Sequence, residues 1–140
     1  MLVLDTSGLL AAIDPGQPLH KEAREVLFGE RGLILLSPYV LAEADYMILK
    51  LAGARRELEF LRSVADGSYE MICMSPLEVQ GAVDIVERYS DMEIGLTDAS
   101  VALVAARHRT TRVLTLDQRH FRAMKPLYGD AFTVLPADVN

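Results

Sequence analysis

Cysteine and histidine, the residues that build disulfides and soft metal sites, are scarce in this chain. Cys73 is the single cysteine, so an internal disulfide and a zinc-finger cluster are both excluded. It lies in the apolar run 71–74, which predicts a buried thiol in a strand. The three histidines, His20, His108 and His120, show none of the spacings typical of zinc ligands.

Long hydrophobic runs are missing as well. No apolar stretch approaches the roughly 20 residues needed to cross a bilayer. The apolar N-terminus has no basic leader and is interrupted by Asp5, which argues against a signal peptide. Together with the low cysteine content, these absences lead us to expect a cytoplasmic protein with no membrane contact.

Positive charge is in deficit. Fourteen lysines and arginines face 20 aspartates and glutamates, giving a formal net charge of −6. Proteins that bind nucleic acid are more often basic, so such a partner requires the bases to be gathered in one region. One C-terminal stretch, residues 107–125, does gather them, with Asp117 as its only acid. Its six cations are Arg107, Arg109, Arg112, Arg119, Arg122 and Lys125.

Apolar runs of strand length alternate with segments of helical period. The 140 residues suit one domain, residues 1–140. The predicted strands are 2–4, 33–36, 70–74, 113–116 and 132–135. Helices are predicted over 18–30 and 55–65. Three more are predicted after Ser37-Pro38, Ser75-Pro76 and Thr97, because each of these is typical of a helix N-terminus. This alternation predicts an α/β fold, a mainly parallel sheet of four to five strands with helices on both faces.

Two acids directly follow predicted strands. Asp5 comes after the first strand and Asp117 after the fourth. In open parallel sheets the ligand site lies beyond the carboxyl ends of the strands, where both residues fall. Aspartate is equally typical of turns and helix caps, so a purely structural role is as well supported for either residue alone.

Two further acids lie within predicted helices. Glu43 falls at the edge of an apolar stripe, where a carboxylate needs a metal ion, an arginine or access to water. Asp98 follows the predicted cap Thr97, and the helix dipole alone explains an acid there. Asp98 is functional only if its helix starts at the same pocket as Asp5.

If these four carboxylates meet, their mutual repulsion requires a cation. Magnesium prefers oxygen ligands and keeps several waters, so a cluster of acids without histidine or cysteine favours Mg²⁺, with Mn²⁺ as a substitute. The sequence therefore predicts a hard divalent metal site.

Four motifs in order resemble those of PIN-domain proteins. They are Leu2-Val3-Leu4-Asp5-Thr6-Ser7, Ser37-Pro38-Tyr39-Val40-Leu41-Ala42-Glu43, Ile94-Gly95-Leu96-Thr97-Asp98-Ala99-Ser100 and Leu114-Thr115-Leu116-Asp117-Gln118-Arg119-His120-Phe121. The last has the form common among VapC-type toxins. The resemblance spans nearly the whole chain. It implies the PIN three-layer fold and metal-dependent cleavage of RNA by the toxin of a bacterial toxin–antitoxin pair.

By motif match, the acidic site would consist of Asp5, Glu43, Asp98 and Asp117. Thr6, Ser7 and Thr115 would be polar supports for the carboxylates or for water. The resemblance also implies an antitoxin that blocks the site, and a homodimer. The helices between Pro38 and Ala65 could form the antitoxin groove, although Tyr46, Met47 and Leu51 could equally be ordinary core.

RNA contacts are expected near the fourth motif. Arg119 and His120 follow Asp117 closely enough to flank the site, and we add Arg112 and Arg122 from the same basic stretch. For Arg107 and Arg109 we favour a structural role, because cations at a helix C-terminus are stabilised by its dipole.

Three other functions compete with this interpretation. An aspartyl-phosphate phosphatase needs a second acid two residues after the first, where Ser7 lies. A phospho-receiver domain needs paired acids after strand one and an aspartate after strand three, where Ser75-Pro76 follows. A non-catalytic PIN-like module that binds RNA or a partner remains compatible with the residues, although the intact set of acids argues against it.

Overall fold

The computed structural model describes residues 1–139. Its strands are β1 (Leu2–Leu4), β2 (Ile34–Leu36), β3 (Glu70–Met71), β4 (Arg112–Leu114) and β5 (Thr133–Leu135). Its α-helices are α1 (Thr6–Ile13), α2 (His20–Gly29), α3 (Pro38–Ala52), α4 (Ala54–Ala65), α5 (Pro76–Arg88), α6 (Leu96–Arg107) and α7 (Gln118–Ala123). A 3₁₀ turn, Ser90–Met92, joins α5 to α6.

The five strands form one sheet in the order β3-β2-β1-β4-β5, and every pair is parallel. Val3 of the central strand β1 is paired with Leu35 on one side and Val113 on the other. All three residues of β1 are fully buried, and since neighbouring side chains point to opposite faces, both faces of the sheet are covered. The predicted parallel α/β fold is confirmed.

The strand order also decides against the phospho-receiver alternative. Receiver domains have the order 2-1-3-4-5, in which the third strand lies beside the first. In this chain β4 lies beside β1, and β3 is at the sheet edge. The receiver hypothesis is therefore wrong.

Two of the predicted helix caps are confirmed. Ser37 caps α3, its hydroxyl accepting a hydrogen bond from the backbone N–H of Tyr39 at 3.2 Å, and Pro38 is the first helical residue. Ser75 and Glu78 form a reciprocal capping box at the start of α5. These caps fix where the chain turns back after β2 and β3.

Four local predictions were wrong. Strand β4 ends at Leu114 and not at Leu116, so Asp117 follows it three residues later and not directly. Helix α2 begins at His20 and not at Pro18, because Leu19 adopts a left-handed conformation with φ 55° and acts as its cap. Helix α6 is capped by Gly95, which places Thr97 inside the first turn. Strand β3 ends at Met71, so Cys73 lies beyond it and is exposed.

No helix within residues 1–139 is long and apolar enough to cross a membrane.

Candidate active site

The four predicted acids line one pocket at the carboxyl edge of the sheet. Asp5 and Asp117 reach it from the ends of β1 and β4, Asp98 from the first turn of α6, and Glu43 from α3. The cavity measures about 370 Å³. Its lining residues are Asp5, Thr6, Ser7, Leu10, Glu43, Met47, Asp98, Asp117 and His120.

Asp5 is the buried carboxylate of this pocket, with 4% of its surface exposed. Its Oδ2 accepts hydrogen bonds from Thr115 Oγ1 at 2.6 Å and from Ser7 Oγ at 2.8 Å. Asp5 precedes α1, yet its side chain makes no capping hydrogen bond, so the alternative of a mere helix cap is wrong. Burial raises the pKa of Asp5, and the two hydroxyl hydrogen bonds only partly oppose that increase.

Hydroxyl groups connect the ends of β1 and β4 beneath the acids. Ser7 Oγ lies 3.1 Å from Thr115 Oγ1 and accepts a hydrogen bond from the backbone N–H of Leu116 at 2.9 Å. Thr115 Oγ1 accepts a hydrogen bond from the N–H of Asp117 at 2.9 Å. The structure thus brings Ser7 and Thr115 to Asp5 in the manner expected of supports. Thr6 Oγ1 lies buried in the pocket lining with no hydrogen-bond partner among residues 1–139.

Asp98 and Asp117 converge on His120. The Nδ1 atom of His120 lies 3.0 Å from Asp98 Oδ2 and 2.9 Å from Asp117 Oδ2. Burial, followed by the charge of Asp5, raises the pKa of Asp98 to about 6. Asp117 is also the N-cap of α7, since its Oδ1 accepts a hydrogen bond from the N–H of His120 at 3.0 Å. Both the structural and the pocket-lining interpretations of Asp117 therefore hold.

Glu43 stands at the exposed rim of the pocket. Its Oε2 accepts a hydrogen bond from Thr97 Oγ1 at 3.0 Å, which ties α3 to the first turn of α6. Thr97 was predicted to cap α6; in the structure its hydroxyl group instead holds Glu43. Sequence reasoning placed Glu43 at the boundary of the apolar stripe, and the structure agrees, since Ala44 beside it is fully buried.

The predicted RNA-contacting arginines separate into two groups. Arg112 lies at the amino end of β4, opposite the pocket, where it is paired with Glu30. Arg122 forms two hydrogen bonds to the carboxylate of Asp138. The structure brings neither to the pocket, because each is held by an acid elsewhere. Arg119, in the first turn of α7, is exposed and follows Asp117 by two residues in the sequence.

The pocket offers mainly oxygen ligands to the predicted metal ion. Within residues 1–139 no three histidine, cysteine or acidic side chains form a ready-made metal-binding group. The chemistry of the pocket nevertheless suits a divalent cation, because carboxylate oxygens dominate it and because burial, followed by the charge of neighbouring carboxylates, raises the pKa values of Asp5 and Asp98. Two buried polar atoms in its lining, Thr6 Oγ1 and His120 Nδ1, also lack a hydrogen-bond partner. The residues fit a cation that would draw them together.

Comparison with known proteins agrees with the motif resemblance. A model of the PIN domain matches residues 2–126. Ribonuclease VapC26 of Mycobacterium tuberculosis is 40% identical over 135 residues, which cover 96% of this chain and 100% of the relative. The chain therefore belongs to the PIN-domain family and, within it, to the VapC ribonucleases.

Two solved structures share the fold. The crystal structure of Mycobacterium tuberculosis VapC20, described as a toxin that cleaves the sarcin–ricin loop, has a TM-score of 0.77 and 17% identity. It covers 84% of this chain and 91% of its own. VapBC2 from Rickettsia felis, bound to a promoter DNA fragment, has a TM-score of 0.65 and 21% identity, covering 91% and 95%.

Proposed function

We propose that this chain is a metal-dependent endoribonuclease, the toxin of a bacterial toxin–antitoxin pair, and that Mg²⁺ is its cofactor. The observation that carries the proposal is the convergence of Asp5, Glu43, Asp98 and Asp117 on one pocket of a PIN fold. The 40% identity to a ribonuclease over nearly the whole chain supports the same activity. Mn²⁺ could replace Mg²⁺ in such an oxygen-rich site.

The reaction is hydrolysis of an RNA phosphodiester. A divalent ion, when bound by the four acids, would supply positive charge to the phosphate and make a water molecule more acidic. Ser7 and Thr115 hold the carboxylate of Asp5 in a fixed orientation through their hydroxyl groups. The deep position of Asp5 keeps bulk water away from it. In-line attack by water leaves a 5′-phosphate and a 3′-hydroxyl; a 2′,3′-cyclic phosphate would contradict this mechanism.

A structured loop of ribosomal or transfer RNA is the proposed substrate, and inhibition of translation and growth is the proposed outcome. Arg119, an exposed cation two residues after Asp117 in the sequence, is available to contact a phosphate. VapC20, which shares the fold, is described as cutting the sarcin–ricin loop, and this favours a ribosomal loop among the candidates. His120 lines the same pocket and could face the RNA as well.

An antitoxin is the proposed protein partner. Helices α3 and α4 expose apolar side chains, so the alternative that they are all ordinary core is wrong: Tyr46 is 61% exposed and Leu51 49%. Leu49 and Leu58 add to this surface. The Rickettsia felis VapBC2 structure contains a toxin of this fold with its antitoxin, which supports such a partner. A homodimer and a cytoplasmic location complete the proposal.

RNA cleavage by purified, antitoxin-free protein tests the activity. Total RNA with added Mg²⁺ or Mn²⁺ should give discrete fragments, and excess chelator should abolish them. Asp98→Asn should reduce cleavage at least about a hundredfold, because a charged pocket ligand is lost. Asp91→Asn, a change at an exposed acid seven residues upstream, is the matched control and should retain activity. A folded protein that cuts no RNA with either metal would instead indicate a non-catalytic binding module.

A further inference from the structure

His120 has the surroundings of a metal ligand. Its Nε2 lies 2.9 Å from the backbone carbonyl oxygen of Met92, and since a carbonyl only accepts, Nε2 carries the hydrogen. Histidines that bind metal ions commonly donate their other ring N–H to a backbone carbonyl, which fixes the orientation of the ring. The remaining nitrogen, Nδ1, points into the pocket.

Nδ1 is buried and has no hydrogen-bond partner within residues 1–139. It lies 3.0 Å from Asp98 Oδ2 and 2.9 Å from Asp117 Oδ2, so a protonated ring would form ion pairs with both carboxylates. With 16% of the side chain exposed, water has little access to the ring. With Nε2 carrying the hydrogen, a neutral ring instead directs the lone pair of Nδ1 toward the same two carboxylates, as ligands around one cation are directed.

The two distances match the edge of a coordination octahedron. Ligand atoms at right angles, each about 2.1 Å from an ion, lie about 3.0 Å from one another. Imidazole nitrogen binds divalent ions at about the same distance, 2.0–2.1 Å in zinc sites. Because no closed group of three ligands is present, the ion would have to draw the carboxylates of Asp98 and Asp117 inward.

We propose that His120 Nδ1 is a metal ligand together with Asp98 and Asp117. The inference deepens the proposed nuclease function, because it adds one nitrogen to the oxygen ligands of that site. Imidazole suits first-row transition ions better than Mg²⁺, whereas carboxylates alone suit Mg²⁺. The site therefore binds Mn²⁺ more tightly than Mg²⁺, contrary to the ligand set predicted from the sequence.

Electron spin-echo spectroscopy of Mn²⁺ bound to tag-free protein tests the assignment directly. A directly coordinated ¹⁴N should modulate the echo, and labelling histidine with ¹⁵N should change that modulation. His120→Ala should remove it and weaken Mn²⁺ binding by about tenfold or more in calorimetry, with a smaller effect on Mg²⁺. His108→Ala is the matched control. His108 follows the last residue of α6, and its Nδ1 is already in contact with the carbonyl of Val104 at 2.9 Å.

A second variant covers the case in which His120→Ala does not fold. In the double variant His20→Ala/His108→Ala, His120 is the only histidine, and the nitrogen signal should persist. Mn²⁺ bound without nitrogen modulation in the wild-type protein would overturn the assignment and leave the nuclease proposal intact. A protein that binds neither Mn²⁺ nor Mg²⁺ would refute the proposed metal dependence itself.

Discussion

At the scale of single residues, the pocket concentrates negative charge in a place that burial makes unfavourable for it. Asp98 illustrates the consequence. Its pKa is raised to about 6 from an ordinary value of 3.8, first by burial and then by the charge of Asp5. Without a metal ion, the folded chain therefore takes up a proton at Asp98 more readily than the unfolded chain does. A cation bound in the pocket would lower the free-energy cost of ionising Asp98.

We predict that the metal-free protein becomes less stable as the pH rises from 3.8 to about 6. In that range the folded state binds more protons than the unfolded state, so the free energy of unfolding falls with pH. Asp98→Asn should remove this part of the pH dependence and raise the Tm at pH 7.5 by about 3 °C or more. Thermal unfolding of both proteins in excess chelator, at a series of pH values, measures this pH dependence and the difference in Tm.

Asp91→Asn again provides the control, since Asp91 is exposed. Equal Tm values for Asp98→Asn and the wild-type chain at pH 7.5 would show that Asp98 is not strained in the metal-free protein.

The positions of the four acids could be predicted from the sequence, whereas the contacts around them could not. Asp5 and Asp117 follow strands, and strand ends of a parallel sheet meet at one edge whatever the details of packing. The carbonyl of Met92 reaches His120 from a 3₁₀ turn 28 residues away, and no sequence pattern encodes that approach. One signal was available for His120: it follows Asp117 by three residues, a spacing that places both on one helix face.

At the scale of elements, α1 has to lie unusually close to β4 for Asp5, Ser7 and Thr115 to meet. Gly8 makes this possible. A Cβ atom built on Gly8 would lie 2.2 Å from the carbonyl oxygen of Leu114 and 2.7 Å from the backbone nitrogen of Thr115. These are backbone atoms, which a rotamer change cannot move aside. The glycine therefore sets the distance between the first helix and the fourth strand.

We predict that Gly8→Ala destabilises the fold by about 2 kcal/mol or more, because overpacking against backbone forces the helix away from the sheet. Gly29→Ala is the matched change in α2, where a Cβ meets nothing within 4 Å, and it should be neutral within about 0.5 kcal/mol. Urea unfolding of both variants measures the difference. An unchanged midpoint for Gly8→Ala would mean that α1 can shift without cost.

Helices α1 and α7 are the elements that the sequence did not reveal. Six of the eight residues of α1 are buried, so it lacks the polar face that makes a helix recognisable by its period. Helix α7 has only six residues, too few for a periodic pattern. Strand β3 was predicted too long because the apolar run 71–74 continues past the end of its pairing with β2. Helices α1 and α7 and the end of strand β3 are therefore determined by tertiary packing and not by local propensity.

At the scale of the whole molecule, an acidic chain has to bind a polyanion. The net charge of −6 repels the phosphates of RNA at long range, so RNA binding requires cations close to the site of contact. Three arginines of the basic stretch form salt bridges: Arg112 with Glu30, Arg122 with Asp138 and Arg107 with Glu78. Arg119 stays exposed and follows Asp117 by two residues in the sequence. Three of the six cations in the basic C-terminal stretch are thus held by acids, and Arg119 is the proposed contact for the substrate.

We predict that Arg119→Ala weakens RNA binding about tenfold and lowers the slope of log affinity against log salt by about 1, as the loss of one phosphate contact should. Arg122→Ala, which removes a cation already paired with Asp138, should change neither value appreciably. Binding is measured with the Asp98→Asn background, so that the RNA is not cut. Equal losses for both arginines would point to a general charge effect in place of a specific contact.

The separation of the pocket residues along the chain has a consequence for synthesis. Asp5 directly follows the central strand β1, and its partner Thr115 lies 110 residues later in the sequence, so Thr115 is synthesised long after Asp5. The backbone N–H of Asp5 bonds to the carbonyl of Leu114, so β1 has no neighbour on that side until β4 has emerged. A chain that has not yet reached β4 therefore carries Asp5 without Thr115 and without Asp117. The complete pocket can therefore form only after β4 and the segment that carries Asp117 have been synthesised.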